Sequence, residues 1–244
     1  DTSALRNKLN FKFEVSETGE CVNRFTVNYH FCKITIYENG NTWFVGSIHK
    51  LWNSINEVKA PNYLQTGDKG FNGNNFKLKD ICFVRKHLSE LFECNTNEMI
   101  FHNIEFGLNL FTPFNPKKYI KGLLFHHNKE FEYRHNGNSA QAIHNRYILK
   151  IYNKSYQYGM NKNTLRVEVK ITRMFEINNT DKQITFADVN EQLLNKAYEI
   201  VLKRFNEVVH YDYTIQKNKL TNRVKLSLKN YSNPRYWLYD IAPN

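Results

Sequence analysis

Two segments in the middle of the chain alternate with the two-residue period of a β-strand. In Arg146–Asn153 (RYILKIYN), Tyr147, Leu149 and Ile151 fall on one side and Arg146, Ile148, Lys150 and Tyr152 on the other. In Thr164–Thr172 (TLRVEVKIT), Leu165, Val167, Val169 and Ile171 make a continuous aliphatic face opposite Thr164, Arg166, Glu168 and Lys170. Met99–Leu110 repeats the pattern, with Ile104, Phe106, Leu108 and Leu110 opposed to Asn103, Glu105, Gly107 and Asn109. His102 lies on the apolar side of that segment and reads as a core histidine. If these strands share one sheet and turn their apolar faces to a layer of helices, Glu105, Tyr152 and Glu168 project from a single surface.

The remaining pattern predicts an α+β protein in which an antiparallel β-sheet carries the site on one face and helices pack on the other. Leu9–Val15, Arg24–Tyr37 and Thr42–Ser47 read as strands, the last pair joined by a turn at Glu38-Asn39-Gly40-Asn41. Thr66–Asn75 reads as a surface loop, and Leu78–Phe92 has helical spacing. Asn115-Pro116 resembles a cap and first turn, predicting a helix over Pro116–His126. Arg134–Asn145 reads as a polar connection, and Asn178-Asn179-Thr180 as a turn. Phe186–Val208 reads as the longest helix, capped near Thr185 and burying Val189, Leu193, Ala197, Ile200, Val201 and Phe205. The expected organisation is a domain over residues 1–208, followed by a basic and aromatic extension over 209–244 that includes Tyr231, Tyr236, Trp237 and Tyr239.

Charge narrows the choice of partner. The 244-residue chain has 34 Lys+Arg against 23 Asp+Glu, a formal charge of +11, which favours polyanions and makes nucleic acid the expected partner. Its 15 Tyr and 18 Phe supply core volume and also platforms on which unpaired bases can stack. No apolar run reaches membrane-spanning length, and the first residues lack a signal-peptide core, so a cytoplasmic protein without a membrane partner is expected. Cys21, Cys32, Cys82 and Cys94 lack paired metal-ligand spacing and read as buried thiols. Neither His126-His127 nor any other histidine pair forms a His-hydrophobic-His ligand motif, so a histidine-held metal is not expected.

A tyrosine, two carboxylates and several cations on one sheet face are the parts needed to attack a phosphodiester. Carboxylates suit Mg²⁺ or Mn²⁺, which take oxygen ligands and polarise phosphate. A phenol, with an ordinary pKa of about 10, is a poor nucleophile at neutral pH. Lys150, Lys154, Arg166 and Lys170 supply a field expected to ease its attack. Tyr156 and Tyr158 stand close enough in sequence to be alternatives to Tyr152. Alternation alone fits equally the solvated outer face of an ordinary antiparallel sheet.

The order IEFGLN (Ile104–Asn109), RYILKIYNKS (Arg146–Ser155) and TLRVEVKI (Thr164–Ile171) resembles the rolling-circle replication initiators of staphylococcal-type plasmids. It is also similar to the replication proteins of Bacteroidetes phages and plasmids related to the filamentous-phage gene II protein. The likeness runs from about Trp43 to Val208 and includes Gly46-Ser47. In these families an acid sits in an Arg-hydrophobic-Asp-hydrophobic strand, the nucleophile in Tyr-Asn/Asp-Lys, and a carboxylate in Leu/Trp-Arg-hydrophobic-Glu. This chain departs from the pattern with His102-Asn103 where an Arg commonly stands, and with Glu105 in place of Asp.

The resemblance implies an HUH-nickase-like or Rep_trans-like fold, Tyr152 as nucleophile, and Lys154 as a cation on phosphate or tyrosine. It makes Glu105 and Glu168 ligands to Mg²⁺ or Mn²⁺, with Asn109 where the plasmid proteins carry a second acid. Lys150, Arg166, Lys170 and Arg146 would contact DNA. The implied activity nicks one strand of a replication origin, leaves a 5′-phosphotyrosine and a free 3′-hydroxyl, and later rejoins the strand. Expected partners are double-stranded origin DNA, single-stranded DNA, a host helicase and a second copy of the chain. A recombinase or relaxase with the same chemistry, and a non-catalytic DNA-binding or replication-organising protein, are the alternatives.

Overall fold

The structure is a computed structural model and describes residues 2–15, 21–180, 182–212, 215–233 and 236. Its packing divides the chain into two compact units, Asp1–Ile100 with Thr185–Asn190, and Phe101–Ile184 with Glu191–Asn244. The expected domain boundary at residue 208 falls inside the second unit. Trp237 and Tyr239 lie outside the described residues.

The first unit opens with helix α1 (Thr2–Lys8) and a four-stranded antiparallel sheet, β1 (Lys12–Val15), β2 (Cys21–Tyr29), β3 (Cys32–Tyr37) and β4 (Thr42–Val45), in that spatial order. The expected single strand Arg24–Tyr37 is a hairpin, because His30 takes a left-handed φ of 50° and Tyr29 then pairs with Cys32. The turn expected at residues 38–41 forms, with Gly40 at φ 82° donating its N–H to the Tyr37 carbonyl. Helices α2 (Ile48–Ile55), α3 (Tyr63–Thr66) and α4 (Leu78–Phe92) follow, and α4 matches the expected bounds. Ile34 and Ile36 of β3 and Leu5 of α1 form the core, packed by Phe25, Val27, Phe44, Leu91 and Phe92. The expected surface loop 66–75 is only half one. Its second part is tied to α2, where the fully buried Asn53 donates to the Phe71 carbonyl at 2.7 Å and to Asn74 Oδ1 at 2.8 Å.

The second unit holds the expected sheet. Its strands and helices run β5 (Ile104–Phe111), α5 (Lys117–Ile120), β6 (Leu123–His126), β7 (Lys129–Glu130), β8 (Glu132–Arg134), β9 (Ser139–Ile143), β10 (Tyr147–Asn153), α6 (Lys154–Tyr158), β11 (Thr164–Ile171), α7 (Phe175–Asn178), α8 (Glu191–Asn206), β12 (Val208–His210) and α9 (Asn222–Tyr231). Five of the strands form an antiparallel sheet in the order β5-β11-β10-β9-β8, and three form a second sheet, β12-β6-β7. Leu149, Ile151, Val167, Val169 and Ile171 are buried in one cluster with Ile120 of α5 and with Ala197's neighbour on the helix face, Val201 of α8. The α+β arrangement therefore has helices on the apolar face of the main sheet, and the polar face opposite.

Other expectations fail for local reasons. The helix expected over Pro116–His126 stops at Ile120, and Gly122 then packs against the Tyr211 backbone, where a Cβ would lie 2.5 Å from the carbonyl oxygen. That close approach brings Tyr211 N–H to the Gly122 carbonyl at 2.7 Å and lets Leu123–His126 pair as a strand with β12. Arg134–Asn145 is not a bare connection, since Ser139–Ile143 pairs with both β8 and β10. The helix expected over Phe186–Val208 is broken: Thr185 and Asp188 close a capping box on a short 3₁₀ turn, Val189 is extended, and α8 starts at Glu191. His102 is exposed, since regular pairing with β11 begins only at Ile104. Among the described residues no helix is long and apolar enough to cross a membrane.

Candidate functional site

Register fixes which side chains meet. Strand β11 pairs with β5 so that Lys170, Glu168 and Arg166 face Glu105, Gly107 and Asn109, and with β10 so that Glu168 and Arg166 face Lys150 and Tyr152. All project from the face opposite the helices. Gly107 makes the arrangement possible, because a Cβ there would stand 2.4 Å from Glu168 Cγ and 2.7 Å from Arg166 Nε.

At the centre, the Tyr152 hydroxyl donates to Glu168 Oε1 at 2.8 Å and accepts from Lys154 Nζ at 3.1 Å. Arg166 Nε donates to the same Glu168 oxygen at 2.9 Å, and its NH1 to Asn109 Oδ1 at 3.1 Å. Lys150 Nζ holds Glu105 Oε2 at 2.5 Å. Lys154 is fully buried, with its ammonium over the rings of Tyr152 and Tyr158 at 5.2 and 4.9 Å.

Lys154 reaches Tyr152 because β10 ends there. The Asn153 side chain caps α6 by accepting from the Tyr156 N–H at 3.0 Å and from Ser155 Oγ at 2.7 Å. Its amide is held by Asn115 and Asn138 at 3.1 and 3.2 Å. The Asn-Lys-Ser sequence thus turns the chain sharply enough for the residue after the strand to fold back onto Tyr152.

The electrostatics depart from the sequence expectation in one respect. Burial comes first, and the Glu168 charge second, in pushing the Tyr152 phenol above its ordinary range, with Arg166 opposing. The cations do not leave it easily ionised; they neutralise the carboxylates instead. For Glu168, burial would raise the pKa, but Arg166, Lys154 and hydrogen bonds from Glu105 and Tyr152 hold it below the usual range. For Glu105, partial burial and then the Glu168 charge raise it, with Lys150 opposing. The two carboxylates are thus pushed apart, Glu168 downward by its cations and Glu105 upward by burial and by the charge of Glu168.

Nor is Glu168 a solvated outer-face group, since it is only 4% exposed. The two carboxylates are close enough to hydrogen-bond each other, an all-oxygen donor pair whose mutual repulsion a hard divalent cation would relieve. Glu105 and Glu168 therefore fit such an ion; the Asn109 oxygen is already engaged by Arg166.

A pocket of about 360 Å³ opens over this array, lined among others by Tyr152, Glu168, Lys150, Arg134, Gln141 and Tyr156. Lys170 lies one row along the same face, opposite Glu105. Arg146 is not part of the group: it sits just before β10, 3.5 Å from Glu176 and over the Phe175 ring. The wall formed by Arg134, His135, Asn138 and Gln141 was missed in the sequence, although the alternation of Ser139-Ala140-Gln141-Ala142 was a readable strand signal.

A second cluster lies where the sequence shows no histidine motif. His126, His127 and Glu207 lie with their ligand atoms within 4.8 Å of one another and could hold a metal ion. No sequence motif marks it, because Glu207 arrives from 80 residues away.

Against known proteins, no family model, no curated protein and no solved structure matches the chain.

Proposed function

We propose that this protein nicks and rejoins DNA through Tyr152, as a rolling-circle-type replication initiator with an HUH-nickase-like or Rep_trans-like site. The observation that carries the reading is the Glu168–Tyr152–Lys154 array, whose Tyr152 and Glu168 line an open pocket while Lys154 is buried beneath them. A phenol with its proton aimed at a carboxylate and its oxygen held by an ammonium is arranged for nucleophilic attack with proton removal.

In the proposed step the Tyr152 proton passes to Glu168, and the phenolate oxygen, steadied by Lys154, forms a bond to phosphorus. The bond from phosphorus to the 3′ oxygen breaks, and that oxygen leaves as a hydroxyl by taking a proton from water. The product is a 5′-phosphotyrosine whose bond energy allows the strand to be resealed. A Mg²⁺ or Mn²⁺ ion held by Glu105 and Glu168 would polarise the scissile phosphate. Arg134, Lys150 and Arg166 supply positive charge for the backbone, and Tyr156, 63% exposed at the rim, offers a ring for an unpaired base.

The net charge of +11 supports a nucleic-acid substrate. The deciding experiment incubates the protein with Mn²⁺ and a single-stranded oligonucleotide and looks for a covalent adduct on a denaturing gel. An adduct that maps to Tyr152 supports the reading. A protein that binds the oligonucleotide but never forms an adduct is the non-catalytic DNA-binding alternative.

A further inference from the structure

We propose that His126, His127 and Glu207 form a binding site for a divalent transition metal of the zinc class, with His144 orienting the His126 ring. The backbone brings the three together without help from an ion. His126 ends β6, and His127 follows it at a left-handed φ of 52°, which keeps both rings on one side of the turn into β7. Glu207 directly follows α8 and precedes Val208, which is the strand partner of His126.

The distances suit a small ion. His126 Nε2 and His127 Nε2 stand 3.3 and 3.0 Å from Glu207 Oε2. Ligand atoms placed tetrahedrally around zinc at about 2.0–2.1 Å are separated by about 3.3 Å, so little movement is needed to seat a metal among them. Two imidazoles and one carboxylate are borderline donors that suit Zn²⁺, Co²⁺ or Ni²⁺ better than Mg²⁺.

The independent sign is an unsatisfied atom. His126 is fully buried, yet its Nε2 has no hydrogen-bond partner while it faces the Glu207 carboxylate. A buried polar atom without a partner destabilises the fold, and a cation between this nitrogen and the carboxylate would satisfy it. The other ring nitrogen, Nδ1, is 2.9 Å from His144 Nε2, the outer hydrogen bond that commonly fixes a ligating imidazole. One Arg204 N–H donates to the same Glu207 Oε2 at 3.1 Å and another to Glu176 at 3.0 Å, which fixes the carboxylate in place and leaves Oε1 as its second donor to an ion. His127 is about half exposed, which leaves the fourth position to water.

This site is separate from the one at Tyr152. His144 stacks on Tyr147, at the start of β10 and on its buried face. Tyr152 is five residues further on the opposite face, about 17 Å along the strand at ~3.3 Å per residue. A metal here would act as a clasp between the β6–β7 turn and the end of α8.

The test uses full-length protein stripped with EDTA and titrated with Zn²⁺ or Co²⁺. One ion per chain is expected, with the visible absorption of four-coordinate Co²⁺ and a thermal midpoint that Zn²⁺ raises and Mg²⁺ does not. His127→Ala, at an exposed turn and so expected to fold, should weaken Zn²⁺ at least ~10-fold and abolish the Zn²⁺-dependent rise, as should Glu207→Gln. No binding by the wild type, or equal affinity in a folded His127→Ala variant, overturns the proposal. The Mn²⁺-dependent adduct assay reads Tyr152 independently, so failure of either reading is recognisable on its own.

Discussion

The Tyr152 hydroxyl donates its proton to Glu168 at 2.8 Å, so the presumed nucleophile and the carboxylate beside it form one hydrogen-bonded unit. Tyr152→Phe removes the hydroxyl, and with it both the proton given to Glu168 and the acceptor offered to Lys154, and keeps the ring. It is expected to abolish nicking and adduct formation while DNA affinity stays within about twofold, with a stability change of about 1 kcal/mol in a denaturant melt. Adduct formed at normal yield by the Phe variant would sink the assignment of Tyr152.

Glu105 and Glu168 should behave differently, although the sequence suggests they are equivalent outer-face acids. Glu168→Ala removes the buried carboxylate that balances Arg166 and Lys154 and accepts the Tyr152 proton, and is expected to destabilise the chain by about 3–5 kcal/mol. Glu105→Ala breaks a partly exposed pair with Lys150 and should change stability by less than about 1 kcal/mol. Equal melts for the two variants would refute this ordering. Each variant should also lose Mn²⁺-dependent cleavage, and wild-type cleavage that persists in excess EDTA would remove the metal from the proposed mechanism.

Gly107→Ala tests the packing from the other side. The added methyl meets Glu168 Cγ and Arg166 Nε at 2.4 and 2.7 Å, so the acid and the guanidinium must leave the positions in which they meet Tyr152 and each other. A loss of about 1–3 kcal/mol is expected, together with a fall in adduct yield. Wild-type stability in this variant would show that the strand face has room the structure does not have.

Alkaline pH should weaken the fold through two neutral groups. Burial pushes the Cys32 thiol up from 9.0 to about 11, against a Ser47 backbone hydrogen bond and the Lys50 charge. Burial also pushes the Tyr119 phenol up from 10.0 to about 12. Both folded values exceed the unfolded ones. Their contributions are therefore complete below pH 9.0 and 10.0 and are lost as pH rises through about 11 and 12. Denaturation midpoints should fall progressively above pH 9, and Cys32 should resist alkylation at pH 8 until the chain unfolds. Rapid labelling of native Cys32 at pH 8 would contradict its burial.

The site strands were legible because each has a clean two-residue alternation. Leu165, Val167, Val169 and Ile171 could belong only to a buried face, and Glu168 followed on the other. Burial of Glu168 was not legible, since it depends on the bulk of Arg166 and on the missing side chain at Gly107 on a neighbouring strand. The strand Leu123–His126 was misread as helix because four apolar or aromatic-like residues in a row fit either period. Its pairing with β7 and with β12, the latter some 80 residues later, decides the matter. The His126-His127-Glu207 group escaped for the same reason: its third member is supplied by tertiary structure.

Strand β11 is hydrogen-bonded along both edges, to β5 and to β10, and it carries both Arg166 and Glu168. A strand clamped on both sides cannot swing to meet a ligand. On the proposed reading, adaptation is left to the DNA, which must kink or melt to present its phosphate to a rigid floor. Preference among targets would then follow how readily a stretch of duplex unstacks rather than which base edges are touched. Flexible pyrimidine–purine steps would enter ahead of stiff tracts.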